Sequence, residues 1–69
     1  MKIKFINEQA IQDFLNFGSE TGEIVHNSLI VEMYKLSPFE VVKRNCCGYS
    51  NKSIYIADEE MQFFEIIEE

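Results

Sequence analysis

The opening stretch Met1-Lys2-Ile3-Lys4-Phe5-Ile6-Asn7-Glu8-Gln9-Ala10-Ile11-Gln12-Asp13-Phe14-Leu15-Asn16-Phe17-Gly18 changes its hydrophobic period halfway along. Up to Ile6 it alternates, with Met1, Ile3 and Phe5 on one side and Lys2 and Lys4 on the other, the pattern of a half-buried strand. From Asn7 the period becomes helical. Ile11, Phe14 and Leu15 form an apolar stripe with Ala10 and Phe17 at its margins, while Gln12, Asp13 and Asn16 face water. Asn7 is a good N-cap, Glu8 suits the positive end of the helix dipole, and Ile6 is placed to staple onto Ile11. Gly18 is the expected stop.

Outward from this strand and helix, Ser19 to Glu23 reads as a polar turn containing Gly22. Glu23 to Leu36 is dense in β-branched residues (Ile24, Val25, Ile30, Val31) and reads as one strand or a hairpin turning near Asn27 and Ser28. A helix from Ser28 is the alternative, since Leu29, Ile30 and Met33 also satisfy helical spacing. Ser37-Pro38-Phe39-Glu40 carries the capping-box pattern, with Leu36 placed to staple onto Val41. This predicts a helix from Pro38 to about Cys47, buried through Phe39, Val42 and Cys46 and stopped at Gly48. After a polar loop from Gly48 to Lys52, Ser53 to Ala57 reads as a strand. Asp58 to Glu69 reads as a helix capped by Asp58, against the alternative of a turn at Asp58 to Met61 and a strand at Phe63 to Ile67.

The expected fold is a single small α+β domain over residues 1–69, with a three- or four-stranded antiparallel or mixed sheet packed against two or three short helices. Sixty-nine residues, 46% of them hydrophobic, with three Gly and one Pro, are too apolar and too poor in breakers for a disordered segment. No run approaches the roughly 20 apolar residues of a membrane span, and charged residues interrupt the N-terminal stretch where a signal peptide has an apolar block. A cytoplasmic location is expected, and the adjacent Cys46 and Cys47 agree, since they close only a strained ring and make no disulfide framework. Asn51-Lys52-Ser53 spells a glycosylation acceptor that has no meaning in that compartment.

The net charge of −6 has a marked position. Asp58, Glu59, Glu60, Glu65, Glu68 and Glu69 lie within the last twelve residues beside no base, and the first 57 residues sum to zero. This disfavours direct nucleic-acid binding, which needs a basic face. Chemistry is sparsely provided for. His26 with Cys46 and Cys47 supplies neither a zinc ligand set nor an activated thiol, the acids lack a calcium-loop pattern, and no phosphate-binding glycine loop exists. No catalytic residue, metal ligand or cofactor is expected.

The expected function is a non-enzymatic acidic interaction protein that binds a basic protein surface, as an inhibitor or modulator of a nuclease or other nucleic-acid-handling enzyme. Its carboxylates would stand where phosphates bind, a nucleic-acid mimic of the kind a phage anti-defence protein (anti-CRISPR or anti-restriction) supplies, an attribution that rests on small size and acidity. The six C-terminal acids and Tyr49, as an exposed aromatic anchor, are the expected partner-binding residues. The alternative is a small homodimeric structural or regulatory subunit that buries its apolar excess against a second copy.

Overall fold

The computed structural model describes residues 1–69. The chain runs β1 (Lys2–Phe5), α1 (Glu8–Thr21), α2 (Ile24–Tyr34), β2 (Phe39–Glu40), β3 (Val42–Lys43), β4 (Tyr49–Ser50), β5 (Tyr55–Ile56), a 3-10 helix (Asp58–Phe63) and β6 (Phe64–Glu68). The α+β class is as expected, but the strands divide between two antiparallel three-stranded sheets, ordered β2-β1-β6 and β3-β4-β5. No helix is long and apolar enough to cross a membrane.

β1 is the centre of the first sheet. Ile3 and Phe5 point inward and are fully buried, as the alternation predicts. Phe5 stacks on Phe64 of β6 at 4.3 Å between ring centroids, and Phe14 of α1 meets Phe5 edge-on at 5.1 Å. Aromatic pairs in these geometries add to plain area burial. β6 answers β1 residue for residue, Phe5 to Phe64, Lys4 to Glu65 and Ile3 to Ile66. A bulge at Ile67 then brings Lys2 opposite Glu68.

α1 begins where expected, with the Asn7 side chain accepting from the Ala10 amide at 2.8 Å. It does not stop at Gly18. It continues to Thr21 and ends at Gly22, whose φ of 83° supplies the left-handed cap. Gly18 is buried inside the helix because α2 crosses there, and a Cβ on it would sit 2.7 Å from Asn27 Nδ2.

Residues 24–34 are helix and not strand. The β-branched residues cost only a few tenths of a kcal/mol each in a helix, and packing against α1 overrides that preference. Asn27 and Ile30 are buried and Tyr34 half-buried, at spacings of three and four that only a helix puts on one face.

Ser37 to Cys47 is also corrected. Ser37 donates its amide to Tyr34 in a turn after α2, and the chain then enters β2 and β3. Extended, residues 39–42 alternate inward and outward. Phe39 stacks on Tyr34 at 3.9 Å, Val41 is buried, and Val42 is 65% exposed where a helix would have buried it. Cys46 is exposed, not core. The C-terminal segment follows the alternative reading, a turn of 3-10 helix and then a strand, since β6 is needed to cover the second edge of β1. The Asn51 side chain has a structural role that its place in Asn51-Lys52-Ser53 does not suggest. It accepts from the Ser53 and Ile54 amides and donates to Tyr34 Oη and the Glu40 carbonyl, tying the β4–β5 turn to α2 and β2.

Gly18→Ala tests the helix crossing. Helix propensity favours Ala by about 1 kcal/mol, but the Asn27 amide that a Cβ would displace is held by the Phe14 carbonyl and Glu60 and can yield only by giving up those hydrogen bonds. Overpacking of about 1–3 kcal/mol should win, giving a net loss of stability in chemical denaturation. Ser37→Ala, which removes no hydrogen-bonded cap, should leave the midpoint within about 0.5 kcal/mol of the parent value.

Candidate functional site

The six C-terminal acids do not form one face. Glu60 is 5% exposed. Its Oε1 accepts from the Ala57 amide at 2.9 Å and its Oε2 from Asn27 Nδ2 at 3.1 Å. It is a structural carboxylate inside the fold, and its assignment to a partner-binding surface is corrected. Glu65 lies across from Lys4 with 3.5 Å between charged groups, and Glu68 faces Lys2 in register, so the strand pairing sets two of the acids beside bases. The helix that would have aligned Glu65, Glu68 and Glu69 on one side does not form. Asp58 is exposed and uses Oδ1 to accept from the Gly48 amide at 2.9 Å. Glu59 and Glu69 are exposed. Tyr49 belongs to β4 and not to a loop. It is half-buried against the core with Lys43 Nζ 4.9 Å from its ring centroid, which removes it as a free anchor.

A second set of acids lies on and beside the two helices. Residues 7–34, which hold both helices, contain Glu8, Asp13, Glu20, Glu23 and Glu32 and no Lys or Arg. All five acids are exposed. Every base of the chain lies outside the helices. The sum over the first 57 residues conceals this, because the cancelling bases lie in the strands and connections, with Lys35 alone at a helix end, as the C-cap of α2. The signal is legible as a run of 30 residues, 5–34, without a Lys or Arg.

Within that layer, α2 is apolar nearly all round. Its inner face packs through Asn27 and Ile30, while Val25, Leu29 and Met33, four residues apart, form an outward stripe. Val25 is 82% exposed. A helix apolar on both faces is normally buried on both. Glu32 is the only Lys, Arg, Asp or Glu in α2.

At the N-terminal end of α2 a cleft of about 260 Å³ is lined by Glu23, Glu59 and Glu60 with His26, Asn27 and Tyr55 among its walls, and by no Lys or Arg. His26 Nε2 lies 3.0 Å from the Tyr55 carbonyl and 3.3 Å from its amide. With Nε2 protonated it donates to the carbonyl, and unprotonated it accepts from the amide. Either way it ties α2 to β5. Asn27 donates through Nδ2 to the Phe14 carbonyl as well as to Glu60, and its Oδ1 has no partner. Comparison with protein-family models, with curated proteins and with solved structures yields no match for this chain.

Glu60→Gln separates a structural from a surface role. Both groups facing the carboxylate are donors, so the amide NH2 of Gln would meet a donor in a buried site. A loss of about 1–3 kcal/mol is expected, read as a lower denaturation midpoint. Glu65→Gln, on the exposed sheet face, should change stability by less than about 1 kcal/mol.

Proposed function

We propose that this chain is a non-enzymatic interaction protein whose acidic helical layer docks on a basic-rimmed apolar surface of a larger protein. The observation that carries the reading is the exposed stripe Val25, Leu29 and Met33 on one of two helices that carry five exposed acids and no Lys or Arg, the nearest base in sequence being Lys35 at the C-terminal cap of α2. Interfaces place an apolar centre inside a polar rim, and an acidic rim selects a basic partner and steers its approach. Clefts rich in Lys and Arg belong to proteins that hold phosphates, so a nuclease or other nucleic-acid-handling enzyme is the class of target. Inhibition would follow from occupying such a cleft, as a phage anti-defence protein does. The non-enzymatic part of the reading rests on side chains already engaged. His26 Nε2 is held by the Tyr55 backbone and Glu60 by two backbone and side-chain donors. A homodimer through α2 is less favoured, because it would bring two helical layers of five acids each together.

A photo-crosslinking residue at position 29 should trap a protein with a basic surface in the chain's source cells, and one at position 65 should not. Against that purified partner, Leu29→Ser with Met33→Ser should weaken affinity at least about tenfold. Burying a Leu or Met side chain is worth about 1.5–3 kcal/mol, and these exposed positions should leave the melting temperature nearly unchanged. The association rate should fall as salt rises. Crosslinks only to a second copy, or unchanged affinity with a flat salt response, would overturn the reading.

A further inference from the structure

The turn between β3 and β4 presents two thiols side by side. Lys43 pairs with Tyr49, the Arg44 amide donates to the Gly48 carbonyl at 3.0 Å, and Asn45, Cys46 and Cys47 form the exposed tip. Cys46 Sγ and Cys47 Sγ are 3.6 Å apart, both free and exposed. The base of the tip is held firmly. Gly48 has a φ of 78°, donates its amide to Asp58, and lies so close under Tyr55 that a Cβ would fall 2.5 Å from the phenol oxygen. Tyr55 Oη is 3.8 Å from Cys47 Sγ, and the Arg44 guanidinium sits 5.2 Å from the Tyr55 ring centroid.

We propose that Cys46 and Cys47 are a reversible dithiol site, oxidised to a vicinal disulfide by an anionic low-molecular-weight disulfide such as oxidised glutathione. Lys43 and Arg44, next to the tip in sequence, favour approach of an oxidant that carries carboxylates. One thiolate attacks a sulfur of the oxidant RSSR, forming a mixed disulfide and expelling RS⁻, which takes up the proton the attacking thiol lost. The second cysteine, as thiolate, attacks the protein-side sulfur of the mixed disulfide and expels the other RS⁻, which takes up the second proton. Two thiols and RSSR become one cyclic disulfide and two RSH, with two electrons passing from the protein sulfurs to the oxidant.

The separation of 3.6 Å must contract to about 2.05 Å, which side-chain rotation at an exposed tip allows. Adjacent Cα atoms stand about 3.8 Å apart across a trans peptide, short of the roughly 4.4 Å at which ordinary disulfides begin. The ring is therefore strained. Because Gly48 and Tyr55 anchor the base, the strain stays in the tip, and a strained, exposed disulfide is readily reduced. The oxidised state is a labile one, suited to reversal and not to stabilising the fold.

Closing the ring converts the Cys47 thiol beside Tyr55 Oη into a disulfide sulfur that carries neither proton nor charge. In the reduced protein the Cys47 hydrogen bond, with burial and the Cys47 and Asp58 charges, holds the Tyr55 phenol above its ordinary value against the opposing pull of Arg44. This gives a second readout.

The test is incubation of the intact chain with oxidised glutathione, acid quench and intact-mass measurement. Wild type should lose two hydrogens with no glutathione retained and recover them with excess dithiothreitol. Cys46→Ser and Cys47→Ser should each stop at the glutathione adduct. Alkaline absorbance titration of the three tyrosines should show the late-titrating phenol in reduced wild type and its return toward the others after oxidation. Tyr55→Phe should keep the mass change and lose the late phenol. A stable adduct on wild type, a disulfide-linked dimer, or no reaction under conditions that oxidise a free dithiol would overturn the proposal.

Discussion

The amide of Asn27 holds together three segments that nothing else joins so directly. Its Nδ2 donates to the Phe14 carbonyl of α1 and to Glu60 of the 3-10 helix while its backbone belongs to α2. Gly18 is what lets it in, since any side chain there would fill the space the amide occupies. From this junction the rest follows. α1 lies close enough to α2 to bury Ile30, and the 3-10 helix is held so that Phe63 and Phe64 meet Phe14. Glu60 is fixed with both oxygens facing donors. Buried polar groups of this kind are costly when half satisfied, so the three segments are constrained together through this one amide.

Much of the first third of the chain was legible, because β1 and the start of α1 obey their periods and Asn7 caps as its chemistry dictates. Where the structure departs from the sequence expectation, tertiary contact overrides local preference. β-branched residues suggested a strand at 24–34, but the buried positions 27, 30 and 34 carry the helical spacing. Ser37-Pro38-Phe39-Glu40 has the letters of a capping box, yet Phe39 gains more by stacking on Tyr34 beside β1 than a short isolated helix offers. Gly18 and Gly22 both look like stops, and only knowledge of what crosses Gly18 separates packing from termination.

Charge was misplaced for a related reason. A run of acids along a strand is divided between two faces and paired across the sheet with whatever the neighbouring strand presents, here Lys2 and Lys4. Acids scattered along two adjacent helices collect on one layer. The helical pair thus carries Glu8, Asp13, Glu20, Glu23 and Glu32, all exposed, while the conspicuous C-terminal cluster is largely dispersed. Surface electrostatics is a property of elements and their packing, and a charge count by segment reads it correctly only when segment and surface coincide.

The central position of β1 sets an order of events during synthesis. Ile3 and Phe5 emerge before their partners on either side, which come from Phe39–Glu40 and Phe64–Glu68, the latter about sixty residues later. At roughly 5–20 residues per second, the strand waits for several seconds with its inward side chains uncovered. The helices are neighbours in sequence, whereas the sheet that gives the domain its centre joins segments far apart in the chain, the kind of contact that is slow to form. The alternating lysines of β1, which in the finished molecule face Glu65 and Glu68, keep that waiting strand from pairing with another nascent chain.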